Sequence, residues 1–294
     1  MHELLLPAQV ARAEAVERCR RYLMTRVRRW RLAQPFLPAA RRDELVTLLA
    51  WHRLAREVAA APAGFERRRG LDELTSELDA ALAERARSPA GIALSFAVRR
   101  HELPEELLRR PLFEWRRDEH LATFETREAL LAHARAVAVP EARLLLRVLV
   151  DVDPHREALA DSLALGIQLS TWLSDSKRAL EQGRLRLPVD RLTGAGVALA
   201  SLSAAKASPA LARAVAAEVA CARGYFERGW PLARELGPWR GRRLAFVLRW
   251  HAATLSAIEA AGCDVLRGPP PAGWPRVLAC ATASLLSSSA PRLA

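Results

Sequence analysis

Three features of the sequence predict an all-α chain. Apolar residues recur at helical spacing through most of its length. Prolines and short polar capping residues stand just ahead of those stretches, where helices begin. The alternation with period two that marks a half-buried strand is absent. The expected architecture is a single-domain helical bundle of about ten or more helices, occupying residues 1–294 with no shift in composition at an internal boundary and no repeat.

In chain order, residues 8–30 read as a basic amphipathic helix carrying Arg18, Arg20, Arg21, Arg26, Arg28 and Arg29. That face suits either solvent or an anionic lipid surface. Residues 34–38 (Gln-Pro-Phe-Leu-Pro) break it, and a second helix runs from Pro38 to about Ala61, before an Ala-Pro-Ala-Gly loop. A third fits residues 71–87. Ser88-Pro89 opens one that reaches His101, Pro104 opens one that reaches Arg117, Thr126 caps one to Val139, and Pro140 starts another to Val150. Asp153-Pro154 opens a long central helix, with Gly183 as its stop. Turns follow at Gly194 and Gly196. Ser208-Pro209 opens a long helix to Leu236, and Pro238 opens one to Ala261. A Gly-Pro-Pro-Pro loop then precedes a last apolar helix from Trp274.

At 294 residues, 51% of them hydrophobic and 27% charged, the chain is long enough to bury a large core, and its mean hydropathy of −0.03 is that of a soluble protein. The net charge of +12 comes almost wholly from arginine, the only lysines being Lys177 and Lys206. Such a charge suits an anionic partner (a diphosphate, an acidic membrane surface or nucleic acid), or it is simply spread over solvated faces. Nothing resembling a nucleic-acid-binding module accompanies the charge, so no nucleic-acid partner is expected. Cys19, Cys221, Cys263 and Cys280 lack paired spacing, and the seven histidines form no ligand set. His52, beside Trp51, faces a cavity or sits satisfied in the core. Neither a leader nor a membrane-spanning stretch is read from the sequence, so the expected place is the cytoplasm, with peripheral membrane contact as the alternative.

Within the central helix Gln168, Thr171 and Asp175 stand three and four residues apart and share one face, a polar stripe on an apolar rod. Polar groups in an apolar interior are costly unless paired. The stripe therefore either lines a cavity or bonds to neighbouring helices. Residues 165–188, LGIQLSTWLSDSKRALEQGRLRLP, resemble the second signature of squalene and phytoene synthases. In that signature a helix carries Gln-Leu-Thr-Asn, then Asp-x-x-x-Asp, then Gly-Arg-x-Tyr-x-Pro. By register Gln168, Leu169, Asp175, Gly183, Arg184 and Pro188 match; Thr171 stands at the Asn, Ala179 at the second Asp and Arg186 at the Tyr. Residues 34–60 resemble the segment in which Leu-Pro precedes a helix ending in Arg-x-x-Asp-Asp-x-x-Asp. Here that ending reads Arg53, Arg56, Glu57 and Ala60. Residues 115–126 resemble the Gln-Asp segment, with Asp118 retained and Phe124 in place of Tyr. Among subfamilies, the hydroxysqualene synthases look most similar.

The resemblance implies the isoprenoid synthase type of all-α bundle, built around a central cavity in which prenyl diphosphates ionise over magnesium held by two acidic clusters. Magnesium demands hard oxygen ligands, and it stabilises the charge that collects on the leaving diphosphate. The implied catalytic carboxylates are Glu57, Asp118 and Asp175, with Glu57 and Asp175 as metal ligands; Arg53, Arg56, Arg184 and Gln168 are the implied diphosphate contacts. Both acidic motifs are thinned relative to the family. Two classes of function therefore stay open. One is a catalytically degenerate relative that holds a prenyl diphosphate or other isoprenoid lipid, or serves as a scaffold beside a partner synthase. The other is an active magnesium-dependent synthase that converts farnesyl or presqualene diphosphate to squalene or hydroxysqualene.

Overall fold

The computed structural model describes residues 3–6, 10–26, 39–118, 123–268 and 274–287. The break expected at residues 34–38, both ends of the first expected helix, and the prolines at 269–271 lie outside them. The described helices are α1 (Arg12–Arg26), α2 (Arg42–Ala60), α3 (Phe65–Leu82), α4 (Pro89–His101), α5 (Glu105–Arg117), α6 (Arg127–Leu149), α7 (Pro154–Ser174), α8 (Ser176–Glu181), α9 (Val189–Gly194), α10 (Pro209–Gly229), α11 (Pro231–Glu235), α12 (Gly237–Ala260) and α13 (Trp274–Leu286). Among the described residues there is no strand, only one isolated parallel bridge between Phe124 and Pro188. The all-α expectation holds.

Several boundaries move, each for a local reason. The third helix begins at Phe65, right after the loop at Gly64, and ends at Leu82 rather than Arg87. Glu84 takes a left-handed conformation (φ 57°), and the amide of Arg85 donates back to the Ala80 carbonyl, which closes the helix. The break expected at Pro140 is absent: α6 runs through it. A proline inside a helix costs one hydrogen bond and a ring clash. Here the flanking turns bury Ala136, Val137 and Ala138 on one side and Leu144, Leu146 and Val148 on the other, which holds the helix on course. The central helix divides at Asp175 into α7 and the short α8. The helix expected from Ser208 to Leu236 ends at Gly229, because Pro231 has no amide hydrogen to continue it. The serine caps form as read: Ser88 Oγ accepts from the Gly91 amide and Ser208 Oγ from the Leu211 amide, both at 3.1 Å.

The chain gathers into two compact units, Met1–His120 with Pro140–Asp153, and Leu121–Val139 with Pro154–Ala294. In the first, α2 packs against α1, α3 and α4. Its buried face carries Leu45, Leu48, Trp51 and Ala55, and the nearly buried Glu44 carboxylate receives Arg12 of α1 (3.6 Å) and Arg100 of α4 (3.2 Å). The second unit is organised by α7 against α10, with α11 and α12 also on α7.

Two glycines set the α7–α10 distance. A Cβ on Gly166 would lie 2.9 Å from the Phe226 ring, and one on Gly229 would lie 2.6 Å from Leu163 Cγ and 2.8 Å from the Leu159 carbonyl oxygen. A backbone oxygen cannot swing aside, so even a methyl group forces the helices apart. Gly229→Ala is expected to destabilise the protein by about 1–3 kcal/mol, the usual cost of overpacking. A urea titration checks this through a lower midpoint at an unchanged slope.

Candidate functional site

In the first unit the site residues lie on the face of α2 away from its apolar stripe. Arg53, Arg56, Glu57 and Ala60 recur at intervals of three, one and three residues, so they share that face. Glu57 is fully engaged. Its Oε2 accepts from the Tyr22 hydroxyl at 2.7 Å, and its Oε1 pairs with the Arg53 guanidinium at 2.8 Å. Burial alone would raise the Glu57 carboxyl, but the Tyr22 hydroxyl and then Arg53 outweigh it and hold it below the usual carboxylate range. Tyr22, by contrast, is pushed up by burial and by its bond to Glu57, so it keeps its proton.

Arg56, the residue just before Glu57 on the same helix, donates to Glu141 at 2.5 Å, across 85 residues of sequence. His52 lies one turn before Arg56 and is buried, and its Nε2 has no hydrogen-bond partner among the described residues. Of the two expectations for His52, the buried one is what the structure shows. Burial first, then the Arg56 charge, lowers its pKa against the pull of Glu141, so the ring stays neutral. Asp118 is also buried, 3.6 Å from the fully buried Arg67, whose NH2 donates to the Trp115 carbonyl at 3.0 Å.

In the second unit α7 buries Gln168, leaves Thr171 half-buried and brings Asp175 out to solvent at its end. The expected polar stripe is thus graded from core to surface. Thr171 spends its hydroxyl on the Ile167 carbonyl (2.8 Å) within its own helix. Ser170, buried beside it, contacts His251 Nδ1 at 2.7 Å. Beyond α8, Gly183 adopts φ 70° and the Arg184 amide returns to the Ala179 carbonyl at 2.8 Å. Only a residue at ease in the left-handed region closes a helix this way cheaply.

Residues 188–190 then pair with the segment after Asp118. The Val189 and Asp190 amides donate to the carbonyls of Phe124 (2.9 Å) and Glu125 (3.0 Å). This brings two resembling segments together and builds an aromatic nest. His133 lies between the rings of Phe124 (5.1 Å) and Trp172 (5.7 Å), and the Arg186 guanidinium sits 5.3 Å and 5.6 Å from those same two rings.

The family's sequence model, squalene/phytoene synthase, matches residues 24–277. The chain belongs to this family. It is 28% identical to the squalene synthase HpnC from Alicyclobacillus acidocaldarius, with a TM-score of 0.79 over 90% of this chain and 98% of that one. A dehydrosqualene synthase in complex with a ligand shares the fold at 18% identity and a TM-score of 0.83, over 93% and 96% of the two chains. YisP from Bacillus subtilis does so at 19% and 0.71, over 92% and 96%. No curated protein matches the sequence.

Magnesium is the cofactor that the family implies, and the donors of this chain fit it poorly. Each resembling motif stretch offers one carboxylate: Glu57, held by Tyr22 and Arg53, and Asp175, followed by Lys177, Arg178 and Ala179. Among the described residues no three His, Cys, Asp or Glu side chains form a group able to hold a metal ion. A hard dication needs about six oxygen ligands and releases its waters reluctantly. Tyr22, Arg67, His133 and Glu141 escaped the sequence reading. Glu141 directly follows the proline taken as a helix start, and nothing local ties any of the four to its partner.

If Glu57 is held ionised by Tyr22, its folded pKa lies below its unfolded one. The stability it contributes is then complete above the unfolded pKa and is lost as pH falls through the folded value. Tyr22→Phe is expected to cost about 1–2 kcal/mol at neutral pH, the range of a charge-assisted hydrogen bond at a partly exposed pair. It should also raise the Glu57 pKa and flatten the acid-side loss of stability. Unfolding free energies across acid to neutral pH, with a carboxyl-selective NMR titration, check both.

Proposed function

We propose that this squalene/phytoene synthase-family chain of isoprenoid metabolism holds a prenyl diphosphate or related isoprenoid lipid without turning it over through magnesium. It would act as a binding or scaffold relative of the hydroxysqualene synthases, beside a partner synthase. The observation that carries this reading is the commitment of Glu57 to Tyr22 and Arg53, with Arg56 drawn to Glu141 where the family places an aspartate. A carboxylate already receiving a hydroxyl and a guanidinium must give both up to ligate a metal, and the neighbouring arginine opposes the exchange.

Under this reading the residues proposed to meet diphosphate are Arg53 and Arg56 in the first unit and Arg184 and Gln168 in the second. Guanidinium forks suit phosphate oxygens, so a diphosphate would displace Glu57 and Glu141 as the anionic partner. Glu57, Asp118 and Asp175 are the carboxylates that would carry catalysis if it survives. The chain is taken as one functional domain because the family match runs through both compact units. A place in the cytoplasm, at most peripheral to a membrane, accords with the lack of any helix, among the described residues, long and apolar enough to cross one.

A second reading, an active magnesium-dependent synthase, draws support from the 28% identity to a squalene synthase along 90% of this chain. Farnesyl diphosphate, offered with and without magnesium and NADPH, separates the two. The expected result is thermal stabilisation with neither phosphate release nor lipid product. Magnesium-dependent turnover would overturn the proposal in favour of the synthase.

The thinned motif also admits a test by repair. Arg56→Asp alone would set two carboxylates together at Glu141, so it is combined with Glu141→Gln, Ala60→Asp and Ala179→Asp. This chain should gain magnesium-dependent diphosphate binding by calorimetry, with its helical circular dichroism unchanged. No gain would mean that more than ligands has been lost.

A further inference from the structure

The start of α12 and the end of α13, both in the second unit, leave large apolar side chains in solvent. Trp239 is 69% exposed, Leu285 52% and Leu286 82%. Trp239, Arg243, Phe246 and Val247 share one face of α12, because the last three follow the first by four, seven and eight residues; Arg240 stands at the edge of that face. The opposite side of the helix carries Gly241, Leu248 and Leu255, all buried. On α13, Leu278 and Leu285 stand seven residues apart on a stripe turned away from the buried Cys280 and Ser284. Arg249 joins the two helices. Its guanidinium donates to Ser284 Oγ at 2.9 Å and to the Ser287 carbonyl at 2.8 Å, which sets Leu285 and Leu286 down beside this stretch of α12.

The charge of this part of the chain has one sign. Residues 236–294 hold seven arginines and two acids, and both acids are engaged: Glu259 by Arg223 at 2.5 Å, and Asp264 by Arg267 at 3.2 Å. No carboxylate lies on α12 before Glu259. Its first two turns instead present Arg240, exposed, with Arg242 and Arg243 half-exposed. Arg242 lies over the Trp239 ring, 5.8 Å from its centroid, so indole and guanidinium are presented together.

We propose that this surface docks on an anionic lipid bilayer, with Trp239, Leu285 and Leu286 entering the interfacial layer and Arg240, Arg242 and Arg243 meeting acidic headgroups. An indole ring suits the boundary between headgroups and acyl chains, where its body is covered and its N–H stays wet. Arginine stems lie along that boundary while their guanidiniums reach outward to the charge. A second copy of the chain fits the face poorly, because a two-fold contact sets these arginines against one another. An acidic protein surface would meet the arginines but leave Trp239 and the leucines uncovered, whereas a bilayer meets both. The peripheral membrane contact allowed under the proposed function thereby gains a definite face, one that does not depend on what Arg53 and Arg56 bind.

The full chain is sedimented with vesicles of phosphatidylcholine alone and of phosphatidylcholine with phosphatidylglycerol, at low and at raised salt. Binding is expected to the anionic vesicles only, and salt should weaken it. Arg240→Ala with Arg242→Ala should lower the partition coefficient by about tenfold or more, the loss expected from two basic residues at an acidic surface. Trp239→Ser with Leu286→Ser should lower it comparably; both positions are exposed, so the thermal unfolding midpoint should not move. Arg21→Ala with Arg26→Ala, on the basic α1, tests the other candidate face. If that pair abolishes vesicle binding while the α12 and α13 variants retain it, the assigned face is wrong. Lack of binding to any vesicle overturns the proposal. Self-association that Trp239→Ser with Leu286→Ser reverses, without vesicle binding, overturns it in favour of a contact between copies. Stabilisation by farnesyl diphosphate is read without vesicles, so the proposed function stands or falls separately.

Discussion

The close approach of α7 to α10 decides where the second signature can put its side chains. Gly166 meets the Phe226 ring and Gly229 meets Leu163 and a backbone carbonyl, so neither helix can rotate or retreat without a clash or a void. With α7 seated this way, Leu163, Leu169 and Leu173 go into the core with Gln168 among them, and the helix delivers Asp175 to solvent. The chain then has to turn. It does so through the short α8 and the left-handed Gly183, and returns to pair with Phe124 and Glu125. The aromatic nest holding Arg186 follows from that return.

Arginine shapes the chemistry of the chain as strongly as packing does. In the first unit Glu57, Glu141 and Asp118 each face a guanidinium, and Glu44 receives two. A carboxylate already neutralised by a fixed cation offers little field to magnesium, and the resident arginine repels the incoming ion. The same guanidiniums are well formed for diphosphate oxygens. On the proposed reading, the balance of this surface tilts from holding metals toward holding anions.

Helices were legible wherever the signal is local. Ser88-Pro89, Ser208-Pro209 and Gly183 act through their own backbone neighbours, and the caps they form are the ones the sequence predicts. Reading failed where a distant contact overrides a local preference. Pro140 stays inside α6 because apolar residues on both sides are buried, and burial is invisible along the chain. The stop at Glu84 was equally hidden, since a non-glycine residue gives no advance sign of a left-handed conformation.

The sequence by itself determined that the chain is all-α, that it resembles the squalene/phytoene synthases, and which residues, Arg56, Ala60, Ala179 and Arg186 among them, stand at the resembling positions. These are matters of periodicity and residue identity, complete in one dimension. Only the tertiary structure decided what those residues meet: Arg56 on Glu141, Glu57 between Tyr22 and Arg53, Asp118 on Arg67, and Arg186 against Phe124 and Trp172. Most of those partners are tens of residues away in sequence. Coulombic and dispersion forces act through distance in space, and no spacing rule along the chain encodes which remote side chain packing will bring within reach.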